Sequence, residues 1–232
     1  MNIFSMDNAL FRAIDRFVDL IWLNLLTLLC ALPIVTAGAS LTAMYHVLLK
    51  MTLKEEGTVT VPFFKAFRNN FKNATGVWIP SLLIFCAYLY NIYLLRAGIM
   101  DGLGKMKVVS GCVIAIIMFF LLMVLNYVFP LFARYDNGIK QTLKNAVLLS
   151  FAYFPKSLCM IVLLFFPLAF MRLTDYFFWL WFLYGLSFPG YLIAQIISGI
   201  FTKTETVGNR DDSSPLQQED MESNNDNDRE DR

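Results

Sequence analysis

Ionised side chains are absent from three long stretches of this chain, Val77–Leu95, Val108–Phe129 and Tyr176–Phe201. Each is long enough, as a helix, to cross a hydrocarbon core of roughly 30 Å. Only 16% of the 232 residues are charged while 57% are apolar, and a soluble domain carries about a quarter charged residues. A water-soluble fold is thereby excluded. The expected fold is all-α: a polytopic transmembrane helical bundle.

Other absences narrow the function. Outside residues 203–232 the acidic residues are Asp7, Asp15, Asp19, Glu55, Glu56, Asp101, Asp136 and Asp175, and none falls inside an apolar span. Proton- or sodium-coupled carriers use intramembrane carboxylates, so ion-driven transport is disfavoured. No phosphate-cradling glycine loop, HExxH or GxSxG occurs, and His46 is the sole histidine. Cys30, Cys86, Cys112 and Cys159 lie far apart within apolar segments, where they read as small apolar fillers rather than as a disulfide framework or metal site. The expectation is a protein that is not an enzyme, holds no cofactor or metal, and binds no nucleic acid. The N-terminus lacks the basic start, apolar core and small-residue cleavage site of a signal peptide.

What charge there is divides sharply. Residues 203–232 hold ten acidic and four basic side chains, whereas residues 1–202 hold fifteen basic and eight acidic ones. The first part reads as a helical membrane domain facing anionic lipid. The second, polar and without an aromatic residue, reads as a disordered cytoplasmic tail.

Residues 30–50, CALPIVTAGASLTAMYHVLLK, pose the main topological problem. As one helix, Leu20–Lys50 would be about 45 Å long, well beyond the core thickness. Pro33 interrupts the backbone ladder, Thr36 is placed to cap a new helix, and Ala37-Gly38-Ala39-Ser40 offers the small residues that let two helices approach closely. A hairpin broken at 33–40 also gives the stronger basic bias: fifteen Lys and Arg on the cytoplasmic side against four outside. Five to six membrane segments follow, at about 20–35, 37–53, 77–95, 108–129, 158–171 and 176–201. Both termini are then cytoplasmic, with 33–40 outside and 54–74 inside. The second segment, diluted by Ser40, Thr42 and His46, is the weakest and also reads as re-entrant. Tyr176, Trp179 and Trp181 read as an external aromatic belt and Trp78 as an internal one.

Two amphipathic interfacial helices are expected. Phe11, Ile14, Phe17, Val18 and Ile21 recur at helical spacing against charged residues. In PFFKAFRNNFKNAT, Phe63, Phe64, Phe67 and Phe71 alternate with Lys65, Arg68 and Lys72, whose stems snorkel to the headgroups. IKQTLKNA (139–146) matches FRNNFKNA (67–74) at three of eight positions and an offset of seventy-two, consistent with a direct repeat or with chance.

The uncharged polar residues within the spans are the candidate site. Under the hairpin topology Asn24, His46, Asn126 and Gln195 lie near cytoplasmic span ends, in one inner polar layer. They read either as hydrogen bonds between helices or as a polar entrance or partner site. Pro167 and Pro189-Gly190 read as kinks of the last two helices or as packing features.

The segments MDNALFRAIDRFVDLIWLNLL, LPIVTAGASLTAMYHVLLK and EEGTVTVPFFKAFRNNFKNAT together resemble the YesL family of small multi-pass proteins of Gram-positive bacteria, a family without an assigned function. The resemblance implies a cytoplasmic-membrane location and an accessory role beside carbohydrate uptake transporters of the ATP-binding cassette type. It supplies no site residues. The functional expectation is a non-enzymatic accessory or scaffold protein of the membrane; the alternative is a small uncoupled permease for a small solute.

Overall fold

The computed structural model describes residues 3–53, 57–98, 104–170 and 184–212. Among these residues there is no strand, and the helices are α1 (Ile3–Ala31), a short 3-10 turn (Ile34–Thr36), α2 (Ala37–Thr52), α3 (Thr60–Arg96), α4 (Lys105–Arg134), α5 (Ile139–Ala152), α6 (Phe154–Phe170) and α7 (Ser187–Asp212). The chain divides into two compact units, 1–195 and 196–232. Within the second, α7 continues as helix to Asp212, ten residues into the stretch expected to be an unstructured tail. Once a helix is nucleated, each added residue brings a backbone hydrogen bond, so a polar sequence can extend it.

The break expected between the first two segments is present. Pro33 is extended, with φ −74° and ψ 105°, and α1 and α2 fold back on each other: the Ser40 hydroxyl donates to the Thr27 carbonyl at 2.7 Å. Thr36 behaves differently from the expected cap. Its backbone is nearly helical and its side chain makes no cap bond to α2; the hydroxyl lies 2.6 and 2.7 Å from the carbonyl oxygens of Cys30 and Pro33, serving the carbonyl end of α1. The small-residue run also has a partner besides α1. A Cβ placed on Gly38 would lie 2.6 Å from the Trp78 Cβ and 3.1 Å from the Ala74 carbonyl, so α3 crosses α2 at glycine distance.

Residues 63–72 are not a separate surface helix. They belong to α3, 37 residues or about 55 Å long, continuous with the span expected from Val77. Likewise the amphipathic N-terminal stretch and the first membrane segment form one helix, α1. Trp78 is the midpoint of α3. Before it, Phe63, Ala66, Ala74 and Val77 are buried and the helix runs along α2. After it, Leu83, Ile84, Phe85, Leu89, Tyr90 and Tyr93 are exposed.

Opposite this second half runs α4, preceded by Gly104, whose φ of +54° suits a residue without a Cβ. Asn91 lies beside Ser110, with Nδ2 to Oγ 3.4 Å, and the rings of Trp78 and Phe129 are 6.1 Å apart. The two helices are therefore antiparallel. α4 changes character along its length: its first half exposes Val108, Val109, Val113 and Ile116, whereas Asn126 to Ala133 are buried.

α5 and α6 meet at 99° around Tyr153. They pack on α4 through a hydroxyl chain in which Tyr127 Oη and Ser157 Oγ are 2.9 Å apart and Ser157 also donates to the Ser150 carbonyl at 3.0 Å. The two copies of the eight-residue pattern thus diverge: the first continues unbroken into a long helix, the second ends at a sharp bend.

Among the described residues three helical stretches are long and apolar enough to cross a membrane, namely Ile34–Thr52, α3 and α4; α5–α6 makes a fourth if the bent pair is one span. Of the five to six segments expected, the last, at 176–201, lies partly outside the described residues. The three differ in what covers them. In its most apolar stretch, 56% of Ile34–Thr52 is buried by the protein itself, against 11% in α3 and 6% in α4. Residues 171–183, which include the start of the segment expected at 176–201 and the belt residues Tyr176, Trp179 and Trp181, lie outside the described residues.

Candidate functional site

The α1–α2 hairpin, the first half of α3, the end of α4 and the start of α7 enclose most of the buried polar side chains. Of the four expected in an inner polar layer, Asn24 has the most specific role. It is fully buried, and its Oδ1 accepts hydrogen bonds from the backbone N–H of Leu186 and of Ser187, at 3.1 and 3.2 Å. These donors open α7, and the first N–H groups of a helix have no partner within it. A side chain 162 residues away therefore caps the last helix, and the Ser187 hydroxyl beside it is buried without a partner.

His46 is half-buried on α2, its Nδ1 2.8 Å from the Ala133 carbonyl at the end of α4. The carbonyl can only accept, so this nitrogen carries a proton and donates it. Asn126 is buried and its amide donates to the Leu122 carbonyl one turn earlier, at 3.0 Å. Gln195, on α7, is exposed. Asn24 and His46 thus bind different helices, α7 and α4, and the observed bond of Asn126 stays on its own helix.

Trp78 is tied to the hairpin rather than free at an interface: its indole N–H donates to the Ile34 carbonyl at 2.7 Å. At the other end of the hairpin the Trp22 indole donates to the Thr60 hydroxyl at 2.9 Å. The two bonds fix the hairpin against the first half of α3 with its apex level with Trp78. Of the aromatic–basic group, Phe63 is buried and stacks with Phe67, while Phe64 and Phe71 are exposed. Phe64, Phe67, Arg68, Asn69, Phe71 and Lys72 line an open groove of about 650 Å³.

Pro189 falls in the first turn of α7, where the missing N–H costs no intrahelical bond, so it does not act as a kink. Gly190 instead admits α2: a Cβ there would lie 3.0 Å from both Leu48 Cδ1 and Met44 Cε. Among the described residues no three His, Cys, Asp or Glu side chains come together as metal ligands. At the edge of the bundle, burial and then the neighbouring charge of Asp15 push the Asp19 carboxyl upward.

The contacts that organise this region, Trp78 with Gly38 and Ile34 and Asn24 with α7, were not legible as a site. The small-residue run announced a close approach without naming its partner.

A family model described as "Protein of unknown function, DUF624" matches residues 20–92, which hold most of the hairpin and nearly all of α3 but less than half of the chain. No curated protein and no solved structure matches the chain.

Proposed function

We propose that this chain is a non-enzymatic accessory or scaffold protein of the cytoplasmic membrane, with five to six membrane-embedded segments and both termini cytoplasmic. The observation that carries it is the use made of the buried polar groups. Asn24 caps α7 and His46 holds the end of α4, bonds that fasten helices together, and Asn126 bonds its own helix. Beyond them α3 and α4 present exposed apolar faces, Leu83, Leu89, Ile116 and Phe120 among them, suited to lateral packing in lipid against another membrane protein.

The resemblance to the YesL family makes the partner a carbohydrate uptake transporter of the ATP-binding cassette type. The permease alternative needs Asn24, His46, Asn126 and Gln195 to line one water path, and no specific observation favours it. A photo-crosslinking residue at Leu89 or Ile116 tests the proposal in native membranes. One discrete cross-linked membrane protein, identified by mass spectrometry as a transporter subunit, is expected. Cross-links to lipid alone, together with solute flux by the purified protein in vesicles, would replace the scaffold by the permease.

A further inference from the structure

The apex of the α1–α2 hairpin has a definite depth relative to the two long helices, and both measure it alike. Ile34 is bonded to Trp78, and Trp78 packs on Phe129. Along α3, Trp78 is about 9 Å past Lys72 and about 27 Å short of Arg96; along α4, Phe129 is about 8 Å from Arg134 and about 33 Å from Lys107, at 1.5 Å per residue. A membrane crossed by α3 and α4 must hold its core between these basic residues, since an ionised side chain at mid-bilayer is costly. The apex then lies no more than about 9 Å into a core of roughly 30 Å, on the side of Lys65, Arg68 and Lys72.

The surface of the hairpin fits that depth. Leu29, Leu32, Ile34 and Val35 are exposed to 62%, 73%, 62% and 50%, and no ionised residue lies between Asp19 and Lys50. Along the outer face of α1, Trp22 and the aliphatic side chains from Leu25 to Leu32 line a groove of about 580 Å³. The inward face carries the polar bonds, Ser40 to Thr27 and Asn24 to α7. Backbone at membrane depth is tolerated where its polar groups are satisfied internally, and Thr36 does this for the carbonyls of Cys30 and Pro33 at the turn.

We infer that residues 20–52 form a re-entrant hairpin whose apex enters the membrane from the side of Lys65, Arg68 and Lys72 and turns back there, with Leu32–Val35 and the apex end of the groove on α1 covered by the acyl chains of that leaflet. The expectation that residues 33–40 emerge on the opposite face is replaced. The inference rests on the reading of α3 and α4 as membrane spans, and the experiment separates the two.

In the full-length chain with its four cysteines replaced by alanine, single cysteines are placed at Leu53, Ile34 and Met106, with Leu32→Cys as a second apex variant should I34C fail to fold. Impermeant maleimide should label L53C and M106C from opposite sides and the apex variant from neither. A fluorophore at the apex cysteine, in vesicles with nitroxide-labelled acyl chains, should be quenched several-fold more than one at L53C. Labelling of the apex from the M106C side would show that the hairpin crosses. Labelling from the L53C side without quenching would show that it lies outside the lipid. Labelling of L53C and M106C from the same side would remove the spans themselves, and the inference with them.

Discussion

The bundle around the hairpin and the pair formed by the outer halves of α3 and α4 are built from the same two long helices, yet they hold together differently. In the bundle, side chains of opposed helices meet at close range: Gly38 admits the backbone and indole of α3, Ser40 reaches Thr27, Trp78 reaches Ile34, and Asn24 reaches α7. In the outer pair, Val108, Val113, Leu83 and Leu89 face outward, and the contact of Asn91 with Ser110 across the pair is long, at 3.4 Å. The difference teaches where lipid is needed. The bundle supplies its own apolar surroundings and satisfies its polar groups internally, whereas the outer pair exposes apolar surface that water does not tolerate and lipid does.

The largest effect is expected where the bundle is tightest. Gly38→Leu would force four heavy atoms into a place where even the first would lie 2.6 Å from Trp78 Cβ; overpacking of this kind costs about 3 kcal/mol or more. Loss of monodisperse protein in detergent, by size-exclusion chromatography, checks it. A variant as stable as the parent would mean that the hairpin and α3 do not share this crossing.

Removing the remote cap comes next. Asn24→Ala leaves the buried N–H groups of Leu186 and Ser187 without their acceptor, at a cost of about 1–3 kcal/mol. Thermal unfolding in detergent should shift down by several degrees, with faster proteolysis near residue 186. Asn24→Asp should retain most of the stability, because a carboxylate accepts the same two bonds and complements the positive end of the helix.

The smallest effect is expected in the outer pair. Asn91→Leu removes the long contact with Ser110 at about 0.6 kcal/mol, the average for such bonds between membrane helices, and adds apolar surface to a lipid-facing region. Its melting temperature should match the parent within about 2 °C, at the few degrees per kcal/mol usual for a chain of this length. A loss as large as that of Asn24→Ala would make the outer pair a packed core in its own right and erase the contrast.

Some of this was legible in the sequence. Pro33 and the small-residue run located the hairpin, and the run of uncharged residues from Val77 located the outer half of α3. The continuity of α3 was not legible, because Lys65, Arg68 and Lys72 read as a boundary between surface and membrane although nothing there stops a helix. The assignments of Asn24 and His46 were not legible either: their partners are backbone groups of Leu186, Ser187 and Ala133, which carry no sequence signature, and they lie 162, 163 and 87 residues away.

The sequence by itself determined the solvent and the secondary structure. Charge-free runs of twenty residues or more have nowhere to go but lipid, and there the helix satisfies every backbone group within one segment. Only the tertiary structure decided which apolar faces are covered by protein. Hydropathy reports that a segment is apolar but not what covers it, and the apolar surface that protein covers on α2 stays exposed on α4. What placed the hairpin apex beside the middle of α3 rather than its end was contact between residues far apart in the chain, Gly38 and Ile34 with Trp78. Such contacts follow from shape and hydrogen-bonding geometry in three dimensions, which periodicity along a single helix does not encode.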